Sequence, residues 1–465
     1  MPGGCSGSTP ADALTSAMTA AGAALAIGLA FRPIIGHIQR TNAGANDSPF
    51  GRTAREREAG KAGTVMEFGF EQLGLILVVA SLVAMLSRRI GLPYTAGLVL
   101  AGMALALFPA GADLPLSREL IFNVFLPPLI FEAALQLRWK RFREQMPVTI
   151  VLAFAGVAIS AAVVAAGMRW GLGWSWLGAA FFGVLIAATD PVSVIAAFKE
   201  MRAERRLGVV VESESLLNDG VAAVGFALLI GVAGGQSLDV GSVAGSFAWT
   251  VFGGIAAGVA AAGLVLLIAG RTEDHLVEIT LTTIAAWGSF LTAEHFGASG
   301  VFAALVAGLI VGNIGWMGSI SDTGRAHVIG FWEFAAFLAN SCLFILIGSH
   351  EAHQPVALVS TALGLAILLT LIGRAAAVYP LALLFRPTSL RLPATYQHVL
   401  VWGGLRGAVG LALALALPET IAERDEIVVL TFGVVAFSIF VQGLTMPPLI
   451  RRWNLTRPDD DTDDH

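Results

Sequence analysis

The strongest constraint on this chain is a series of apolar stretches, each roughly 20 residues long, that begins near residue 68 and continues almost to the C-terminus. A helix of about 20 apolar residues matches the hydrocarbon thickness of a lipid bilayer. We identify thirteen such stretches and predict that each is a transmembrane helix, numbered here as spans 1 to 13. Their approximate bounds are 68–87, 94–111, 118–136, 147–168, 174–199, 207–233, 242–270, 276–296, 299–315, 328–349, 355–385, 394–417 and 427–450.

Composition narrows the class of protein further. Of the 465 residues, 56% are hydrophobic and only 13% are charged, whereas soluble domains carry about 25% charged residues. So few charges cannot cover so much apolar surface in water, which excludes a soluble enzyme, a nucleic-acid-binding protein and a disordered chain. The two cysteines, Cys5 and Cys342, lie far apart, which argues against a Cys-based zinc site or a disulfide framework. We predict an all-α polytopic membrane protein with no cofactor and no nucleic-acid partner.

The distribution of Lys and Arg between the loops predicts the orientation in the bilayer. Seventeen of them follow odd-numbered spans or lie in the tail, and three follow even-numbered spans. Because basic residues accumulate on the cytoplasmic side, we expect an inner (plasma) membrane protein whose acidic tail, residues 453–465, is cytoplasmic. Residues 1–65 fit poorly, since residues 40–61 carry five basic residues on the side predicted to be outside. This N-terminal extension could be disordered, form an extra helix or remain untranslated.

The thirteen spans divide into six, one and six. A displacement of seven spans gives the two halves opposite orientations, which is the layout of an inverted-repeat transporter whose site lies on broken helices at the midplane. The breaks should then fall in spans 5 and 12. In span 5, Pro191 lacks the N–H that the carbonyl of Ala187 needs, and Asp190 is placed to cap a new half-helix. In span 12, glycines weaken the helix around one basic residue, and the residues concerned are Gly403, Gly404, Arg406 and Gly407.

Several acidic side chains fall inside these spans, and ionisable groups near the bilayer centre are costly enough to mark functional sites. Asp219 lies about 18 Å along span 6, near the midplane, and Ser215 is on the same helical face. Asp190 should lie at similar depth, and Glu132 follows the paired prolines of span 3, so these groups and the freed carbonyl of Ala187 could surround one small volume. Oxygen ligands of this kind suit a desolvated alkali cation. Taken alone, Glu132 could instead be an acid that reaches the membrane surface, and the arginine of span 12 could face lipid.

Four stretches of the sequence resemble the signature stretches of monovalent cation:proton antiporters, in the branch that contains NhaP-type bacterial antiporters and animal sodium/hydrogen exchangers. They are Phe125–Ala133, Ala188–Pro191, Glu214–Gly220 and Gly403–Ala408. The resemblance extends in order over about residues 68–452. It implies an NhaA-like antiporter fold in which two broken helices cross at the midplane.

The resemblance also implies how the membrane domain, residues 66–452, is divided and assembled. A transport bundle, about residues 147–233 and 355–450, would move against an interface domain, about residues 68–136 and 242–349. Each such chain would be one protomer of a homodimer.

The resemblance further assigns roles to individual residues. The groups that would bind the cation or carry the proton are Asp219, Asp190, Thr189, Ser215, Glu132 and Asn218. Asp219 would be the carrier itself, and Asn218 in place of a second aspartate is associated with electroneutral exchange. Glu214 and Arg374 would form a structural ion pair. The residues that would support the broken helices are Pro191, Gly403, Gly404, Arg406 and Gly407.

The function we predict is Na⁺/H⁺ antiport that serves pH homeostasis, with Na⁺ and H⁺ competing for the carboxylate of Asp219. A K⁺/H⁺ antiporter of the same fold remains an alternative, because oxygen ligands alone do not separate Na⁺, Li⁺ and K⁺. A passive cation channel is a second alternative, which would carry current without coupled proton movement. An intramembrane hydrolase is disfavoured because neither His-Glu-x-x-His nor Gly-x-Ser-x-Gly occurs in the sequence, and we predict that the protein is not an enzyme.

Overall fold

The computed structural model of the protein describes residues 70–90, 93–107, 118–190, 194–195, 198, 201, 203–235, 240–351, 361–453 and 455. The described chain is built almost entirely from helices, which we number α1 to α14. Their bounds are Phe70–Ile90, Tyr94–Ala106, Arg118–Gln136, Trp139–Gly171, Trp176–Ala187, Arg205–Ala233, Val240–Ala269, His275–His295, Gly300–Asn313, Asp322–Glu351, Thr361–Leu384, Ala394–Trp402, Ala408–Leu415 and Arg424–Arg452.

The helices confirm a polytopic all-α membrane protein. Among the described residues, nine helices are long and apolar enough to cross a bilayer, and apolar helices of 10–17 residues include α2 and α5. Eleven of the predicted spans each coincide with one helix; α5 covers the first half of span 5, and span 12 is divided between α12 and α13. Three predictions fall outside the described residues, namely those for residues 1–65, for Pro191 and for most of the acidic tail.

Both predicted interruptions are places where regular helix ends. Helix α5 begins at a Ser175 cap, whose Oγ accepts a 3.0 Å hydrogen bond from the backbone N–H of Gly178, and it ends at Ala187. Ala188 then turns the chain to an extended conformation, with φ −58° and ψ 136°. Helix α12 ends at Trp402, and α13 begins after Gly407, whose backbone is also extended. Regular helix therefore ends at the two places where the pattern predicted an interruption.

The two larger apolar clusters among the residues that the structure describes are separate from each other. The first is shared by α4, α6, α11, α12 and α14, and its largest members include Leu152, Tyr396 and Met446. The second is shared by α3, α7, α8, α9 and α10, and it is built around Phe131 and Trp332, whose ring centroids are 4.5 Å apart. The two clusters have no helix in common.

Helix α9 is held very close to its neighbours by glycines. A β-carbon at Gly254 or Gly258 of α7 would lie 2.5 Å from a backbone oxygen, that of Ser299, which caps α9, or that of Ala303 within α9. A β-carbon at Gly308 or Gly312 of α9 would in turn overlap the backbone of α3. Small residues at such contacts let helix backbones approach closely, which is how helices associate where there is no water to drive them together.

The connection between α3 and α4 is only two residues long, and one side chain holds it. Asn313, at the end of α9, accepts a 2.8 Å hydrogen bond from the backbone N–H of Trp139 through Oδ1. Its Nδ2 donates to the carbonyls of Leu137 and Leu309 at 3.0 and 2.8 Å. The carbonyl of Leu137 and the N–H of Trp139 flank the point where one helix ends and the next begins. The side chain of Asn313 provides hydrogen-bond partners for both groups and so fixes the linker to α9.

Candidate functional site

The two helix interruptions meet. The backbone N–H of Asp190, after α5, donates a 2.8 Å hydrogen bond to the carbonyl of Leu405, between α12 and α13. The next residue, Arg406, is tied to α14, because its backbone N–H donates to the Oγ of Ser438 at 3.0 Å and its carbonyl accepts from that hydroxyl at 3.2 Å. Backbone groups that each interruption removes from a helix are thus satisfied by the other interruption or by α14.

The carbonyls at the end of α5 are satisfied by the buried guanidinium of Arg406. Its Nη1 donates to the carbonyls of Ala187 and Ala188 at 3.1 and 3.2 Å, and the residue is 2% exposed. We expected the freed carbonyl of Ala187 among the cation ligands, and that expectation is wrong, because a fixed positive charge already occupies it. The alternative in which this arginine faces lipid is also wrong.

Three buried side chains bind the end of α5 to α6. The backbone N–H of Thr189 donates to Asn218 Oδ1 at 3.1 Å, and Asn218 Nδ2 donates to Thr189 Oγ1 at 2.6 Å. The hydroxyls of Thr189 and Ser215 are 3.1 Å apart. Because Asn218 uses both ends of its amide on Thr189, it fixes the position of the interruption relative to Asp219, the next residue on α6.

Glu214 and Arg374 form a bidentate ion pair inside the protein. Arg374 Nη1 and Nη2 donate to Glu214 Oε1 and Oε2 at 2.7 and 2.8 Å. Arg374 Nε donates to the carbonyl of Leu400 at 3.0 Å, and Asn218 Nδ2 donates to Glu214 Oε1 at 3.0 Å. The carboxylate is 1% exposed and the arginine 6% exposed. The pair is therefore neutral as a unit and connects α6, α11 and α12.

The glycines of span 12 leave room for these charged groups. A β-carbon at Gly407 would overlap the side chain of Asp190. A β-carbon at Gly404 would lie 2.9 Å from Arg374 Nε. Gly403 caps the end of α12, and its backbone nitrogen lies 2.6 Å from the carbonyl oxygen of Val399. Only residues without a side chain fit at Gly404 and Gly407 while Arg374 and Asp190 keep their positions.

A cavity of about 90 Å³ lies beside this crossing, which is room for a few water molecules or a partly hydrated ion. Three carboxylates line it, those of Asp219, Asp190 and Glu132. Each of these residues is half-buried, and a hydrogen bond from Gln136 reaches Glu132. The other lining residues are Leu126, Leu129, Ile130, Ala133, Ala188, Thr189, Leu216, Asn340, Gly407, Ala408, Val409 and Gly410.

The structure thus separates the predicted site residues into two groups. Asp219, Asp190, Thr189, Glu132 and Gly407 line the cavity. The rest lie behind its wall, namely Ser215, Asn218, Glu214, Arg374, Gly403, Gly404 and Arg406. The second group positions the first through the hydrogen bonds described above.

Sequence reasoning missed two polar residues of this region, Asn340 and Ser438. Asn340 lines the cavity from α10. The sequence does contain a signal for it, since it is an amide among apolar residues of one helical face, with Ala336, Leu343 and Phe344 at 6%, 0% and 1% exposure. Ser438 offered no comparable signal, because a serine in a membrane helix usually bonds to its own backbone.

Comparisons with known proteins identify the family of this chain. The model of the family described as "Sodium/hydrogen exchanger, transmembrane" matches residues 75–452. Over 392 residues the chain is 40% identical to the Na(+)/H(+) antiporter NhaS2 of Synechocystis sp., covering 83% of this chain and 71% of that one. Over 404 residues it is 38% identical to the Na(+)/H(+) antiporter ApNhaP of Aphanothece halophytica, covering 86% and 77%.

The fold is also found among solved structures. The structure of the sodium proton antiporter MjNhaP1 from Methanocaldococcus jannaschii at pH 8 superimposes with a TM-score of 0.63 at 20% sequence identity, covering 82% of this chain and 95% of that one. At that identity the likeness establishes the fold. Together with the family match over most of the chain and with the relatives at about two-fifths identity, it shows that this chain belongs to the sodium/hydrogen exchanger family of transmembrane proteins.

Proposed function

We propose that the protein is a Na⁺/H⁺ antiporter that exchanges a monovalent cation for a proton at the carboxylate of Asp219. The observation that carries the proposal is the cavity in which Asp219, Asp190 and Glu132 face one small volume. Relatives at 40% and 38% identity bear the name Na(+)/H(+) antiporter, which supports Na⁺ as the cation. No cofactor is needed, because binding and release of two ions are the whole reaction and no covalent chemistry takes place.

The coupling follows from competition for one negative charge. Asp219 can be neutralised by a proton or by a cation, and the two exclude each other. An empty, ionised carboxylate is costly in the membrane interior, so the site crosses only when it is loaded. Asp190 and Glu132 complete the oxygen ligands, a backbone oxygen of Thr189 adds to them, and Ser215 supports the site from behind Thr189.

The exchange is electroneutral. Glu214 is paired with Arg374 at 2.7 Å and carries no free charge, and Asn218 is a neutral amide where a second carboxylate would add one. One exchangeable charge on Asp219 then permits one Na⁺ for one H⁺. Movement of a net charge would couple turnover to voltage by about 2.3 kcal/mol per 100 mV.

The architecture we assign to this function has thirteen transmembrane spans in an inverted repeat of six, one and six. The transport bundle comprises about residues 147–233 and 355–450, and the interface domain about residues 68–136 and 242–349. The two separate apolar clusters support this division, because one belongs to the bundle helices and the other to the interface helices. The protein would act as a homodimer in the plasma membrane with its C-terminus in the cytoplasm.

Flux measurements on the purified full-length chain in proteoliposomes test the function. A pH-sensitive dye inside the vesicles should report proton movement on addition of Na⁺, with Li⁺ and K⁺ added in turn. Clamping the membrane potential with valinomycin should leave the initial rate with Na⁺ nearly unchanged. Proton flux with K⁺ and none with Na⁺ would show that K⁺ is the substrate. Cation current without proton movement would show that the protein is a channel. Absence of flux with all three cations would overturn the proposal.

A further inference from the structure

One polar side chain that lines the cavity, the amide of Asn340, has no role in the exchange proposed above. Asn340 lies in α10, which contributes to the second apolar cluster, and it lines the cavity together with Asp219, Asp190 and Glu132. Asp219 and Asp190 come from α6 and from the interruption after α5. The cavity is therefore shared between the two groups of helices, and Asn340 and Glu132 are the polar side chains that the second group contributes to it.

Asn340 is a polar residue on an otherwise apolar face of α10, where its side chain is half-buried. Its helical neighbours one turn away, Ala336, Leu343 and Phe344, are almost fully buried. Within the residues that the structure describes, the half-buried amide of Asn340 has no hydrogen-bond partner. The amide of Asn340 can therefore bind water or an ion inside the cavity.

The amide has the chemistry of a cation ligand that does not titrate. Its Oδ1 is a neutral oxygen acceptor with two lone pairs, and carbonyl oxygens are among the ligands that hard cations prefer. Asn340 lines the same cavity of about 90 Å³ as the three carboxylates, so its amide borders the volume that a bound cation would occupy. Unlike the three carboxylates, Asn340 offers the cation an oxygen without offering the proton a binding site.

We infer that Asn340 determines the affinity and selectivity for the transported monovalent cation, with Oδ1 contacting the ion directly or through one water. The inference rests on the proposed antiport and names a further ligand of the same site. The amide of Asn340 stabilises the cation-loaded site and not the protonated one. Asn340 therefore sets the apparent affinity for the cation and has little effect on the turnover of the saturated site.

The test compares three purified variants in proteoliposomes. Asn340→Leu keeps the size of the side chain and removes its oxygen, and Asn340→Asp keeps an oxygen in place. Ser341→Ala is the matched control, because Ser341 is the next residue of α10 and bonds to Tyr94 at 2.6 Å outside the cavity. We measure KM and kcat for Na⁺-driven proton flux, the ratio of KM for Li⁺ to KM for Na⁺, and the thermal unfolding temperature.

For Asn340→Leu we expect about a tenfold rise in the KM for Na⁺, the size of one charge-assisted contact, with kcat within about twofold of wild type and an altered Li⁺ to Na⁺ ratio. Asn340→Asp keeps an oxygen but adds a carboxylate that a proton can occupy, so its KM for Na⁺ should rise more steeply than that of wild type as the pH falls. Ser341→Ala should leave both KM and the ratio unchanged. Wild-type KM and ratio in Asn340→Leu would overturn the inference and leave the antiport intact. If Asn340→Leu does not fold, Asn340→Ala takes its place, and a wild-type KM and ratio in that variant would overturn the inference. Wild-type protein without cation-dependent flux would overturn the proposed function, and the inference with it.

Discussion

Arg374 and Glu214 face each other through two parallel hydrogen bonds of 2.7 and 2.8 Å in the interior of the helical bundle. The geometry satisfies both carboxylate oxygens and leaves neither charge exposed. A pair of this kind adds little net stability over an apolar pair of similar volume, yet it strongly penalises the loss of one partner. It also joins α11 to α6 beside Asp219, so its energetic and functional consequences can be separated by mutation.

We expect Glu214→Ala and Arg374→Ala to lower the free energy of unfolding by about 3–5 kcal/mol, because each leaves one buried charge unpaired. Thermal unfolding in detergent measures the effect, and transport should fall with the folded fraction. Exchanging the charges, as Glu214→Arg with Arg374→Glu, should recover part of the loss. Asp425→Asn serves as the control, since Asp425 is 93% exposed where it meets Arg424 at 3.1 Å, and exposed pairs contribute little. Single variants as stable as wild type would show that the pair is not structural.

We expect Asp219→Asn to abolish Na⁺-dependent proton flux in folded protein, because the amide cannot carry a proton or neutralise a cation. Asp190→Asn should impair transport severely but incompletely, since the backbone hydrogen bond from Asp190 to Leu405 does not depend on the carboxylate. Flux in proteoliposomes gives the activities, and unfolding temperatures establish that both variants are folded. Retained flux in purified Asp219→Asn would rule out Asp219 as the carrier.

We expect Gly407→Ala to reduce transport by raising the KM for Na⁺ at least about tenfold, because the new methyl group must displace the carboxylate of Asp190 from the cavity. Gly364→Ala is the matched control, since nothing lies within 4 Å of a β-carbon there on α11. The control should keep wild-type KM and gain slightly in helix stability. Equal KM values in the two variants would mean that the position of Asp190 is not limiting.

We expect Asn313→Ala to destabilise the protein by about 1–3 kcal/mol, because it leaves backbone groups of the α3–α4 linker without partners. Asn313→Asp separates the contacts, since it keeps an acceptor for the N–H of Trp139 but cannot donate to Leu137 and Leu309. Its loss should be intermediate if both sets of bonds matter. Asn123→Ala, on an exposed side chain of α3, should leave the unfolding temperature unchanged. Equal stability of all three variants would show that the linker does not depend on Asn313.

The interruptions were predictable because their causes are local. A proline removes a donor and glycines weaken a helix wherever they occur, so the ends of α5 and α12 follow from residues 189–191 and 403–407. That Arg406 satisfies the carbonyls of Ala187 and Ala188 was not predictable, because it depends on the two interruptions meeting in space. The sequence alone left the carbonyl of Ala187 free, and it therefore appeared available to a cation.

The same distinction between local causes and contacts across helices applies to the residues in and around the cavity. Placing a carboxylate inside a membrane span costs free energy, so such residues indicate a functional site. This argument identified Asp219, Asp190 and Glu132 as candidates for one site. The bidentate contact between Glu214 and Arg374 was implied by the family resemblance and not by spacing, since helix periodicity says nothing about partners on other helices. Asn340 was missed because a single amide in a long apolar helix is also compatible with a hydrogen bond to a neighbouring helix.

We expect the two-residue connection between α3 and α4 to act as a pivot for the long helix that follows it. Helix α4 has 33 residues and is therefore about 50 Å long. Since Asn313 holds Leu137 and Trp139 against α9, we expect a tilt of α4 relative to α3 to be concentrated at this joint. A rotation of about 10° there would carry the far end of α4 by about 9 Å, more than one full helical turn, while the joint itself hardly moves.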